Sequence, residues 1–174
     1  MFFDTTKKLK LSALLLSLGL AFFLNNSVVA EDILPPVSIK EAANLAADGH
    51  ESNQKQIPVL LFFSMKHCPF CREVEEDYLK PMLRNSEYDN KVIIRKVRID
   101  SNGDVVDFAG KTLDVEDFSD SYHVSMVPNL MLVDSQGNKL SDPIIGIANA
   151  HYYSAELDVA IEDSTQKIRA IVKR

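Results

Sequence analysis

Ile57-Pro58-Val59-Leu60-Leu61-Phe62-Phe63-Ser64-Met65-Lys66-His67-Cys68-Pro69-Phe70-Cys71-Arg72 is the stretch that decides the fold. Its first half is a continuous apolar run with a proline near the start. That pattern reads as a strand buried on both faces, as in the middle of a parallel sheet. Its second half holds both cysteines of the chain, placed where the strand ends and a helix begins. Strand ends are where α/β folds put their sites. Pro69 falls at the first helical position, where its missing N–H costs nothing. Cys68 therefore stands near the N-cap, beside free backbone N–H groups and the positive end of the helix dipole.

These surroundings lower a thiol pKa below its free value of about 8.5 and favour a nucleophilic thiolate. Cys71, one turn on, is close enough to pair with Cys68 and more shielded. The roles follow: Cys68 attacks, and Cys71 resolves the mixed disulfide. Three other readings compete. A structural disulfide usually closes a longer loop, because a two-residue spacer removes little chain entropy. A zinc site needs two more ligands, and His50, His67, His123 and His151 are not at paired spacing. Covalent haem attachment wants His after the second cysteine, and Arg72 stands there.

Outward from the motif, Arg72 to about Lys80 is rich in helix formers, with Pro81 expected to end or kink that helix. Val92–Ile99 reads as a second strand. Ser101–Leu113 reads as a long connection, and Asp114 as the cap of a short helix carrying Val115, Phe118 and Tyr122. Asn129–Val133 and Ile144–Ala148 read as a hairpin around Ser135-Gln136-Gly137-Asn138. Leu157, Ile161, Ile168 and Val172 recur at helical spacing. Upstream, Ser38-Ile39-Lys40-Glu41 reads as a capping box opening a helix with Ala42, Ala43, Ala46 and Ala47, closed at Gly49. Alternation of this kind predicts an α/β fold, a central mixed sheet with helices on both faces.

The sequence of 174 residues is 46% hydrophobic and 25% charged, a composition that builds one core and excludes wholesale disorder. Its 19 Lys and Arg against 25 Asp and Glu give a net charge of −6. Such a balance, without a basic block, argues against nucleic-acid binding. Lys7, Lys8 and Lys10, the apolar run Leu11–Leu24 and the small residues ending at Ala30 form a signal-peptide pattern. The run is short of the roughly 20 residues a membrane span needs, although an uncleaved N-terminal anchor is the alternative. Cleavage after Ala30 leaves residues 31–174 as a single domain with 16 basic and 24 acidic side chains. The expected location is the periplasm, where exposed thiols tend to oxidise.

Leu60-Leu61-Phe62-Phe63-Ser64, Cys68-Pro69-Phe70-Cys71, Val97-Arg98-Ile99-Asp100 and Val127-Pro128-Asn129-Leu130-Met131-Leu132-Val133-Asp134 together resemble the thioredoxin superfamily. The resemblance covers about Ile57 to Ile161. Its spacing is closest to secreted thioredoxin-related proteins of the SoxW type, with Asp107–Lys111 as their extra stretch. It implies a thioredoxin-like fold and a redox-active disulfide with no metal or organic cofactor. It also implies that Pro128 is a cis-proline packed against the cysteine pair and that Val127 offers backbone hydrogen bonds to substrate. Two positions depart from thioredoxins proper. His67 replaces the Trp before the first cysteine, and Phe62 replaces a buried Asp that usually takes the proton of the second cysteine. Lys96 matches a lysine often found near that Asp, or is simply an exposed strand lysine. The Pro69-Phe70 spacer is also similar to glutaredoxins, but their Gly pair is replaced by the turn Asp134-Ser135-Gln136-Gly137.

His67, Pro69 and Phe70 are the residues expected to tune the pair. Glu73, Glu75, Glu76 and Asp77 follow within two turns and are expected to oppose the thiolate. The reading is a thiol-disulfide oxidoreductase that reduces protein disulfides. The resemblance suggests a membrane donor of thiol reducing equivalents, and monomer is the default. The rivals are a binding module with a permanently closed disulfide and a disulfide oxidase. An isomerase would want a dimerisation domain that 144 residues do not leave room for.

Overall fold

In the computed structural model, which describes residues 36–172, the decisive apolar run is the central strand of the sheet. β1 (Val59–Ser64) is buried along its whole length. It pairs in parallel with β2 (Ile93–Arg98), from Val59 opposite Ile93 to Ser64 opposite Arg98. On its other side it pairs antiparallel with β5 (Asn129–Val133), with Phe63 opposite Asn129. β5 carries the two-residue β6 (Ile144–Ile145) on its outer edge. The order is β2-β1-β5-β6, a mixed sheet.

Strand alternation divides the apolar run between two cores. Leu60 and Phe62 join Leu130, Leu132, Val74 and Leu157 on one face. Val59, Leu61 and Phe63 join Leu45, Phe118 and Tyr122 on the other. Helices therefore cover both faces. The first core packs under α2 (Pro69–Glu73), its continuation, and the C-terminal α5 (Tyr153–Val172). The second packs under α1 (Leu45–Lys55) and α4 (Val115–Ser121), the latter capped by Asp114, which accepts from the Asp117 N–H at 2.8 Å.

Five local readings change. The Ser38 capping box opens no helix: Lys40 and Ala42 bind the backbone of Lys96 at 2.9 and 2.8 Å, so this segment is extended along the outer edge of β2. Satisfying that edge outweighs a local cap. Ile39 and Ala42 accordingly point into opposite cores. Asn44 is the real cap of α1, accepting from the Ala47 N–H at 3.0 Å. Gly49 lies inside α1, where an added Cβ would meet the Ser135 carbonyl, and the helix ends instead at Gln56 with φ 54°. Close packing, not helix termination, selects this glycine.

Pro81 neither ends nor breaks its helix. A π-helical segment, Val74–Leu79, precedes α3 (Lys80–Arg84), and the Lys80 N–H bonds to the Glu75 carbonyl five residues back. The wider turn makes room for a proline that cannot donate to residue i−4 and would crowd its carbonyl. The Ser101–Leu113 connection also contains structure of its own, an antiparallel ribbon of β3 (Asp104–Val106) and β4 (Thr112–Asp114). The hairpin strand expected over Ile144–Ala148 is shorter than read, ending at Ile145. The signal-peptide reading lies outside the described residues, and among those described no helix is long and apolar enough to cross a membrane.

Candidate active site

β1 delivers the chain to the cysteines through a tethered loop. The Lys66 N–H donates to Asp100 Oδ2 at 2.9 Å, and the Ile99 N–H donates to the Ser64 carbonyl at 2.9 Å. The loop is thus fixed to the exit of β2 before α2 begins. Cys68 is the N-cap of α2 in extended conformation, and its Sγ accepts from the Cys71 N–H at 3.1 Å. Pro69 occupies the first turn. The two sulfurs are joined in a disulfide with Cα atoms 5.2 Å apart.

Their environments differ. Cys71 is 2% exposed within the core that contains Phe62 and Val74, whereas Cys68 is half-buried and packs at the margin of that core. Only Cys68 can be reached by another molecule's sulfur. A backbone N–H aimed at that sulfur stabilises a thiolate once the disulfide opens. Phe70, between the cysteines, is 62% exposed.

The Val127–Pro128 peptide bond is cis. Because Phe63 lies opposite Asn129, this dipeptide enters β5 at the sheet end from which the Cys68 loop leaves. The Pro128 carbonyl accepts from the Gly146 N–H at 2.9 Å, while Val127 is half-buried at the edge of both cores. Met126, just before it, is 59% exposed.

Charge around the pair departs from the sequence expectation. Glu75 and Glu76 do not stand as open negative charge. Glu75 lies 3.3 Å from Lys96 Nζ, both side chains being 18% exposed, and Glu76 lies 2.6 Å from Lys80 Nζ. Lys96 also reaches Glu41 at 3.6 Å, so it is a half-buried bridging cation, not an exposed strand lysine. Phe62, fully buried, leaves Cys71 without the carboxylate that the thioredoxin comparison associates with that strand position. Beside Cys68 the side chains are cationic. Lys66, His67 and Arg72, with Cys68 and Pro69, line an open cleft of about 270 Å³.

His67, Pro69 and Phe70 thus cluster at the reactive sulfur. Val127 and Pro128 reach the same sheet end through β5. Lys66 and Arg72 were missed, although they bracket the motif in the sequence as Lys66-His67-Cys68-Pro69-Phe70-Cys71-Arg72.

The description Thioredoxin-like domain matches over residues 45–161. No curated protein matches the chain significantly in sequence. Among solved structures, it is similar to a poplar thioredoxin h (17% identity, 67% of this chain and 93% of that one, TM-score 0.48). It is also similar to a Fasciola hepatica thioredoxin (19%, 71% and 97%, TM-score 0.49). A thioredoxin-fold protein from Helicobacter pylori matches at 20% identity, over 68% and 83%, with TM-score 0.48.

Proposed function

Starting from a chain that belongs to the thioredoxin-like domain family, we propose that it reduces disulfides of other proteins, with Cys68 as nucleophile and Cys71 as resolving thiol. The observation that carries this reading is the asymmetry of the pair: a reachable sulfur at a helix N-cap joined to a buried one. In the reduced protein the Cys68 thiolate attacks one sulfur of a substrate disulfide and expels the other as a thiolate. Cys71 then loses its proton and attacks Cys68 Sγ, releasing the second substrate thiolate and closing the Cys68–Cys71 bond. The substrate gains two electrons and two protons, and the protein loses the same. A dithiol donor restores the reduced pair by the reverse exchange.

The leader pattern at Lys7–Ala30 supports export, and with it a periplasmic location, and the resemblance suggests a membrane-borne thiol donor. The pair carries the electrons itself, so the cycle uses no metal or organic cofactor. Val127 and Pro128 are assigned to hold an extended substrate segment beside Cys68, and the chain works as a monomer. The nearest functional group by resemblance is the SoxW type. Reduction of insulin by the protein in the presence of a dithiol tests the activity: turnover dependent on Cys68 supports the reading, and turnover unchanged in Cys68→Ser sinks it. N-terminal sequencing of the exported protein is expected to begin at Glu31, and an intact Met1 would favour the anchored form.

A further inference from the structure

We infer that the cleft formed by Lys66, His67 and Arg72 at Cys68 recognises acidic segments, so that the preferred substrates are protein disulfides flanked by Asp and Glu. This rests on the reductase reading and adds a substrate class to it. The cleft opens directly beside the nucleophilic sulfur. Lys66, His67 and Arg72 are exposed, and among the described residues none has a side-chain hydrogen bond or ion pair. Several other cations are used differently: Lys55, Lys80, Lys91, Arg95 and Lys96 each sit against a carboxylate. The nearby Asp100 does not neutralise the cleft. Its Oδ2 accepts the Lys66 backbone N–H, and its Oδ1 lies 3.8 Å from Arg98 Nε.

A chain with net charge −6 repels acidic partners as a whole. Cations left open beside the reacting sulfur make that point one where an acidic segment approaches favourably. Simple thiolates attack acid-flanked disulfides against like-charge repulsion, and here the flanking charge meets Lys66 and Arg72 instead. The exchange itself is unchanged: the Cys68 thiolate bonds to one substrate sulfur, and the other leaves as a thiolate.

An exposed charge pair changes a rate or affinity by up to about fivefold, so two cations set a preference on the order of tenfold. The test compares reduction of two model peptide disulfides by the reduced protein, one flanked by Glu and one by Lys, each rate divided by that of dithiothreitol on the same peptide. At about 20 mM ionic strength the Glu-flanked peptide is expected to be reduced three- to tenfold faster, and the preference to vanish near about 0.5 M, where the Debye length is only a few ångströms. Lys66→Gln with Arg72→Gln should bring the ratio to one, and Lys66→Arg with Arg72→Lys should retain it. Equal rates, or faster reduction of the Lys-flanked peptide at low salt, would overturn the inference and leave the reductase reading intact. Failure to reduce either peptide would overturn both.

Discussion

The two ends of the cysteine helix use charge in opposite ways. Downstream, in the π-helical segment, Glu75 and Glu76 are held by Lys96 and Lys80 at 3.3 and 2.6 Å. Around Cys68, Lys66 and His67 from the preceding loop and Arg72 from α2 itself line an open cleft. The sequence shows a run of acids after the motif and invites the conclusion that the sulfur sits in a negative field. The fold shows that two of those acids are spent on partners brought from β2 and from the next turn. A charge count along the chain is therefore a poor guide to a local potential, which depends on which charges remain unpaired.

The largest expected effect tests the asymmetry itself. Cys68→Ser should abolish disulfide reduction, whereas Cys71→Ser should accumulate mixed disulfides that do not resolve, visible as covalent adducts on non-reducing gels. Adducts formed through Cys71 in the Cys68→Ser protein would reverse the assignment. Next in size, alkylation of the reduced protein by iodoacetamide should be more than about tenfold faster at Cys68, which combines access with a backbone N–H aimed at its sulfur. Mass mapping that finds Cys71 modified first would break the comparison.

A smaller effect probes the neutralised end. Lys96→Ala leaves the half-buried Glu75 with only the more distant Lys80, 3.9 Å away, and the exposed Glu41 without its cation. It should cost about 1–2 kcal/mol of stability, between the values for exposed and for fully buried pairs. It should also make the pair more reducing, because an unscreened carboxylate disfavours the thiolate. Chemical denaturation and redox equilibration read the two consequences separately, and a stability change within about 0.3 kcal/mol would mean the bridge contributes nothing. The smallest effect lies at the cationic end. Lys66→Ala should raise the Cys68 thiol pKa slightly, because one exposed cation beside the sulfur is lost, measured from the pH dependence of alkylation. A lowered pKa would show that Lys66 does not act on the sulfur.

Elements fixed by continuous burial or by side-chain caps were legible in the sequence. The run Val59–Phe63 could only be a central strand, and Asp114 announced α4 because its carboxylate reaches the Asp117 N–H within one turn. Elements fixed by a distant partner were not. Ile39–Ala42 carries a helix-start pattern yet lies extended, because the free edge of β2 at Lys96 supplies hydrogen bonds that no local window contains. Gly49 looks like a helix end, but its reason is the Ser135 backbone packed against it. At the site, the cysteines and their unequal exposure followed from the strand-to-helix placement. The pairing of Glu75 with Lys96 did not, since it spans 21 positions and depends on the parallel register of β1 and β2.

The central claim is that Cys68–Cys71 is a working redox couple and not a brace. Its reduction potential, measured by equilibrating the folded protein in glutathione buffers and quantifying the free thiols, tests that most directly. Charge and dipole effects at a helix-capped, partly exposed sulfur are small, each about 0.3–1 kcal/mol against about 1.4 kcal/mol per 30 mV, and the expected value is roughly −180 to −270 mV, the range of reducing and intermediate thiol-disulfide proteins. A value below about −300 mV would mark a structural disulfide and contradict the claim, and one above about −150 mV would make the protein an oxidase instead.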